Sequence, residues 1–141
     1  MTREANPQST AGSSRRNDVP DATELLATAR ETLAGELLPA LSGELRYRGL
    51  MVANALAIAA REVARGRDAI RREIELLRPL AAQAVPPSDP GSDDVHALRR
   101  TVAAAIRAGR FDDDTHAKAL LAALEEIASL RLAISNPKAL R

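Results

Sequence analysis

Residues 44–65, ELRYRGLMVANALAIAAREVAR, decide the fold class of this chain. Their apolar positions recur at alternating steps of four and three, which is the spacing of one face of an α-helix. Residues 49–60 are apolar nearly all round, as is typical of a helix that other helices surround. We therefore predict a central helix from Glu44 to Arg65, ended by Gly66. Its inner face consists of Leu45, Gly49, Val52, Leu56, Ala59 and Val63.

The same reasoning predicts four more helices around this one. Asp21 with Glu24 forms a capping box at the start of the first helix, and Pro39 ends or kinks that helix. The further helices are bounded by capping aspartates, glycines and a proline, at about residues 68–81, 93–109 and 112–135. Because short connections favour antiparallel neighbours, we expect an all-α antiparallel bundle of about five helices. Residues 21–141 would form this single helical domain.

The two segments without apolar periodicity are the N-terminus and one internal loop. Residues 1–20 are polar and rich in Ser, Thr, Asn and Pro. Such a segment cannot bury enough apolar surface to offset its ordering entropy, so we expect a disordered tail. The stretch VPPSDPGSDD, residues 85–94, holds three prolines and one glycine, which predicts an irregular loop between helices.

The composition limits the possible functions. A net charge of +1 gives no general electrostatic field that would attract nucleic acid or an anionic membrane. The chain has no Cys, so disulfides and thiolate metal sites are excluded. Its longest apolar run, Gly49 to Ala60, is shorter than the about 20 residues that a membrane span needs. We expect a soluble, cytoplasmic protein.

No catalytic or metal-binding constellation is recognisable. His96 and His116 stand at the starts of different predicted helices, and neither belongs to a metal-ligand pair. The acidic run Asp112–Asp114 is better explained as a helix cap than as a metal site. Arginine pairs such as Arg71–Arg72 are interleaved with acids, which makes a DNA-binding regulator the least favoured function. We predict no catalytic residue, no cofactor and no metal.

Two polar residues on apolar faces are harder to explain. Asn54 lies in the middle of the central helix, and Arg131 lies on the apolar face of the last one. A buried amide without a partner costs about 1–3 kcal/mol, and a buried charge costs more. Either both are structural, with Arg131 paired to an acid such as Glu62, or both line a small polar pocket between the second and fifth helices. A guanidinium there would favour a carboxylate, phosphate or acyl group.

Several motifs resemble those of an uncharacterised bacterial family of small all-helical domains. The most specific are VANALAI, with Asn54, and LAISNP, with Asn136 and Pro137. The resemblance covers about residues 21–140. It implies no known activity and no catalytic residue. It does imply gene neighbours, namely aminoglycoside-phosphotransferase-like kinases and acyl-CoA dehydrogenases, which are therefore candidate partners.

These observations lead to one main functional expectation and two alternatives. We expect a non-catalytic accessory or interaction domain that assembles with, or regulates, a phosphotransferase-like enzyme. A small-ligand pocket is the first alternative and a DNA-binding regulator the second. A homodimer is a further candidate assembly, since an Ala-rich domain with almost no aromatic residues gains burial from a partner. The candidate pocket or interface residues are Asn54, Arg131, Glu62 and Asn136.

Overall fold

A computed structural model describes residues 19–84 and 93–141, and within these ranges the chain is helical without strands. The predicted all-α class is therefore confirmed. Residues 1–18 of the tail for which we expect disorder, and most of the expected loop at 85–94, lie outside the described residues. The helices of the described part are α1 (Ala22–Thr32), α2 (Gly43–Ala81), α3 (Val95–Arg107) and α4 (Asp114–Ser135).

The first helix begins as predicted and runs past its proline. The Asp21 carboxylate accepts the Glu24 N–H at 2.9 Å, and the Glu24 carboxylate accepts the Asp21 N–H at 3.0 Å. After α1 the chain makes a π-helical turn, Leu33–Leu37, and a last α turn, Leu38–Ala40, which we count with α1. A proline ring clashes with the carbonyl four residues earlier in a regular α-helix. The wider π turn lies directly before Pro39, where it relieves that clash.

The second and third predicted helices are one helix of 39 residues, so Gly66 is not a stop signal. A glycine that ends a helix takes a positive φ, which Gly43 and Gly109 have and Gly66 has not. Helix formers flank Gly66 on both sides, and one glycine within a helix costs only about 1 kcal/mol. The described part of the chain therefore has four main helices where five were expected.

The last part of α2 packs with α3 and α4 around a shared apolar core. Asp94 and Asp113 cap α3 and α4, as the sequence predicts, and Gly109 follows the end of α3 with a φ of +69°. We call residues 66–84 together with α3 and α4 the helical core. One cluster of buried apolar side chains joins these helices and the turn before α4: Leu77, Leu80, Ala81, Ala84, Val95, Leu98, Val102, Ala105, Phe111, Leu120, Ala123 and Ile127.

The first part of the chain forms a hairpin of different character, which we call the arm (residues 22–65). Among the described helices α1 contacts only α2, and a short turn at Leu41 and Ser42 joins the two. The arm buries only Leu38 and Gly49, which pack against each other. The expectation that other helices surround residues 49–60 is therefore wrong. No described helix is both long and apolar enough to cross a membrane.

Candidate functional site

A buried carboxylate joins the three helices of the core. Glu73 of α2 is only 5% exposed. Arg99 of α3 donates to both of its oxygens, with Nε 2.7 Å from Oε1 and Nη2 2.8 Å from Oε2. Arg131 of α4 donates from Nη2 to Oε1 at 2.8 Å. One carboxylate thus accepts hydrogen bonds from two neighbouring helices, and we call these three residues the ion cluster.

The electrostatics of the ion cluster are those of a contact that holds helices together. The hydrogen bonds from Arg99 are the main cause that lowers the pKa of Glu73 below its ordinary value; the charge of Arg131 adds to this and burial opposes it. The same contact raises the pKa of Arg99. Glu73 is therefore ionised at neutral pH with its oxygens occupied, which makes it a poor general base. Two guanidiniums against one carboxylate leave the cluster with one positive charge in excess.

A groove lies beside the ion cluster. It has a volume of about 240 Å³ and opens to solvent. Its wall contains all three residues of the ion cluster, and apolar residues such as Leu124 and Val102 form the rest. Arg131 is about half exposed, whereas Glu73 is covered. The groove therefore presents a cation next to apolar surface.

A second set of ion pairs links α2 and α4 at the surface. Arg72 donates from Nε to Glu126 at 2.7 Å and from Nη1 to Glu75 at 3.0 Å. The hydrogen bond to Glu126 is the largest cause that raises the pKa of Arg72, and it also lowers the pKa of Glu126. Because these side chains are in contact with water, the pairs add little to stability.

The predicted partner of Arg131 is wrong. Arg131 binds Glu73, whereas Glu62 is exposed and lies over Gly66, with Oε1 2.5 Å from where a Cβ on Gly66 would stand. The two acids are three helical turns apart, about 16 Å along α2. Arg131 therefore has an acidic partner on α2, as the structural interpretation required, but a different one.

Asn54 does not lie where the predicted pocket requires it. It is exposed, because α1 covers only one side of the arm's part of α2. It also precedes Glu73, the partner of Arg131, by about 28 Å of helix. That distance is too large for Asn54 and Arg131 to line one small pocket. The expectation of a buried amide beside Arg131 is thus wrong.

Asn136 stands at the end of α4, where the sequence places the end of this helix. It is the C-cap residue, and its N–H donates to the Leu132 carbonyl at 2.8 Å. One turn away, Arg61 of α2 donates from Nε to the Ile134 carbonyl. This contact satisfies one of the last carbonyls of α4, which have no partner within the helix. Arg61 thereby fastens the arm to the end of α4.

The residue that sequence reasoning missed is Glu73. The four-and-three steps of the central helix continue past Gly66 through Ile70, Glu73 and Leu77. Read as one helix, this pattern places a carboxylate on the inner face, where it needs a cationic partner. The mistaken stop at Gly66 interrupted the pattern seven residues before Glu73.

The two histidines lie in the first turns of their helices and contact the aspartates that cap them. The backbone N–H of His96 donates to the Asp94 cap, and Nδ1 of His116 contacts the Asp113 carboxylate. The hydrogen bonds that Asp113 accepts from the His116 backbone and ring lower the pKa of Asp113. Among the described residues no group of three or more His, Asp or Glu side chains is placed to hold a metal ion.

Most of the exposed large apolar side chains of the described chain lie in the arm. Six large side chains of α2 between residues 45 and 63 are each between 49% and 64% exposed. Steps of three and four residues place Tyr47, Leu50 and Met51 on one side together with Asn54; we call these four residues the Tyr47 face. The other exposed side chains, Leu45, Val52 and Val63, lie with Leu56 and Ala59 on a second side, which we call the seam face.

The sequence was compared with known families, curated proteins and solved structures. Residues 39–139 match a family described as a domain of unknown function (DUF6285). The chain belongs to this family. The DUF6285 match confirms the resemblance to an uncharacterised family of helical domains, and it begins at the end of α1 rather than at residue 21. It covers α2 and the whole ion cluster. Neither a curated protein nor a solved structure matches the chain.

Proposed function

We propose that this chain is a non-catalytic interaction domain whose arm binds a partner protein. The observation that carries the proposal is the apolar surface of the arm. Six half-exposed large apolar side chains lie on two faces of one helix, three on each face. Clustered exposed apolar side chains of this kind mark interaction surfaces. The ion cluster supports the non-catalytic part, since its carboxylate is ionised and fully engaged.

The Tyr47 face is the surface that best suits a different protein. Tyr and Met are enriched at protein interfaces, because they offer large, adaptable apolar area. Asn54 adds an amide that can donate and accept hydrogen bonds at the centre of this face. We propose a phosphotransferase-like enzyme as the partner, on the strength of the family resemblance, with an acyl-CoA dehydrogenase as the next candidate.

Titration calorimetry with the purified phosphotransferase-like enzyme of the same cell tests this proposal. Tyr47→Glu places a charge in the interface and should weaken binding by about thirtyfold or more. Leu121→Glu is the matched control, because Leu121 on α4 is 58% exposed and lies outside the arm. Equal weakening by both variants, or no binding by the unaltered chain, would contradict the proposal.

A second candidate function is supported by the excess positive charge beside the groove. We propose that a small carboxylate or phosphate binds the outward side of Arg131, with any acyl chain against Leu124. Inorganic phosphate and acetate are the probes. Binding raises the melting temperature of the unaltered chain in a concentration-dependent way, and Arg131→Gln should abolish that increase. An equal increase in both proteins would exclude this site.

A further inference from the structure

We infer that a second copy of the chain packs antiparallel against the seam face, with the twofold axis beside residue 54. The inference rests on the arm being an interaction element, as proposed above, and names a partner for its other side. Leu45, Val52 and Val63 follow the spacing of a helix–helix interface, yet each is at least half exposed. Of the other three inner positions, Gly49 is buried against Leu38 of the same chain, and Leu56 and Ala59 are partly buried.

The spacing of the seam face is self-complementary. Alternating steps of three and four residues form the apolar stripe of a coiled coil. In an antiparallel pair centred on residue 54, Val52 of one copy lies opposite Leu56 of the other, and Leu45 lies opposite Val63. A twofold axis repeats both contacts, so that one surface of the chain completes itself.

The charges at the two ends of the seam face select the antiparallel arrangement. No charged residue lies between Gly49 and Ala60, whereas Arg48 precedes this stretch and Glu62 follows it. Both side chains are exposed and lie on the same flank of the seam face, where Arg48 also forms an exposed pair with Glu44 of its own chain. Antiparallel packing brings Arg48 near Glu62 of the second copy, and the axis repeats that pair. A parallel pair would place Arg48 against Arg48, which is repulsive.

The size of the surface fits a dimer of modest stability. From Leu45 to Val63 the seam face is about 27 Å long, and a helix with its side chains is about 10–12 Å wide. The footprint of α2 is therefore about 300 Å², less than half of the about 800 Å² that each partner contributes to a standard interface, so we expect a weak dimer. The paired stretch ends before Glu73, where α3 packs on α2, and the end of α4 contacts it at Arg61, on nearly the opposite side of α2 from Leu45 and Val63.

Sedimentation equilibrium of the full chain, without any other protein, tests this inference. We expect a species of twice the chain mass of 15.0 kDa. Val52→Glu should raise the dimer dissociation constant at least about 100-fold, because the axis buries two unpaired carboxylates. Leu121→Glu should leave the dimer intact. Circular dichroism checks that both variants remain helical. A monomeric unaltered chain at concentrations up to 1 mM, or a dimer that Val52→Glu leaves unchanged, would overturn the inference.

Single cysteines test the orientation directly, because the chain has none of its own. Ala55 is exposed and lies close to the proposed axis. Ala55→Cys should therefore form a disulfide-linked dimer on mild oxidation. Leu45→Cys alone should not, since the two copies of residue 45 would be about 27 Å apart along the helices. A mixture of Leu45→Cys and Val63→Cys chains should cross-link. Efficient cross-linking of Leu45→Cys to itself would show a parallel pair and overturn the arrangement.

The outcome for the dimer can be separated from the outcome for the phosphotransferase-like partner. Val52→Glu changes the seam face and leaves the Tyr47 face intact, and Tyr47→Glu does the reverse. A dimer in pure protein that binds no enzyme would support this inference and contradict the proposed function. A monomer that binds the enzyme through Tyr47 would do the opposite.

Discussion

The arm and the helical core share α2, yet the core buries its apolar side chains and the arm leaves most of them exposed. The core buries twelve apolar side chains in one cluster and ties its three helices together through Glu73. The arm has an equally apolar sequence and buries two residues. The difference shows that apolar content alone does not place a side chain in an interior, because burial also requires an element to cover it. In the arm that covering element is missing on two sides of α2.

The arm and the core should differ most in how much stability they lose when a leucine is replaced by alanine. Leu98 of α3 is 2% exposed, and Leu98→Ala should lower the free energy of unfolding by about 2–5 kcal/mol because a cavity remains. Leu25 of α1 is 56% exposed, and Leu25→Ala should change the free energy of unfolding by about 0.5 kcal/mol or less. Urea unfolding of both variants measures the two values. Similar losses would mean that the arm is as tightly packed as the core.

Removing the charge of the buried Glu73 or of the exposed Glu75 should give a smaller difference in stability, and the effect at Glu73 should depend on pH. Glu73→Gln removes the negative charge that two guanidiniums share, and should destabilise the core by about 1–3 kcal/mol at pH 7. Glu75→Gln, in the exposed pair with Arg72, should cost much less. Urea midpoints of both variants against the unaltered chain give the comparison. A loss from Glu75→Gln as large as that from Glu73→Gln would contradict the role of burial.

The sign of the pH dependence follows from the lowered pKa of Glu73. The unfolded carboxyl titrates near its ordinary value of 4.5 and the folded one below it, so the folded state holds the charged form more strongly. The stability that Glu73 contributes is therefore complete above about pH 5 and is lost as the pH falls through the folded-state pKa. The difference in unfolding free energy between the unaltered chain and Glu73→Gln should shrink accordingly. A difference that stays constant to pH 3 would contradict this.

The smallest predicted effect concerns the glycine at the junction of arm and core. Gly66→Ala should stabilise the chain by about 0.5–1 kcal/mol, because alanine is the better helix former. The added Cβ meets only the end of the exposed Glu62 side chain, which can move away. Gly109→Ala is the control with the opposite sign, since Gly109 has a φ of +69°. A loss of stability in Gly66→Ala would mean that the junction needs the freedom of a glycine.

The sequence predicted the ends of the helices better than their number. Asp21, Asp94 and Asp113 cap helices because a carboxylate can accept free N–H groups at a helix start, which is a local rule. Gly66 misled the prediction because whether a glycine ends a helix depends on its φ, which its neighbours decide. Local signals therefore fixed three helix starts and failed at the one position where a strong helix ran through.

The candidate site residues show that local sequence signals do not decide which side chains meet in the fold. The sequence marked Arg131 as a cation on an apolar face that needs a partner, which is correct, since it hydrogen-bonds Glu73. It named Glu62 as an example of that partner and missed Glu73, because only the packing of α4 decides which acid of α2 is nearer. The burial expected of Asn54 failed for a related reason. Periodicity indicates which face of a helix is apolar, but not whether anything covers that face.

The continuity of α2 has a consequence for how this domain tolerates insertions and deletions. Between Tyr47 and Glu73 the helix is unbroken, so every inserted residue shifts the arm by about 1.5 Å and turns it by about 100° relative to the core. Two inserted residues would point the Tyr47 face nearly backwards while leaving every local contact of the core intact. Seven would restore its direction almost completely. The domain therefore holds the Tyr47 face at a fixed angle to the core, and a change of length along this stretch preserves that angle only when it is close to a whole number of turns.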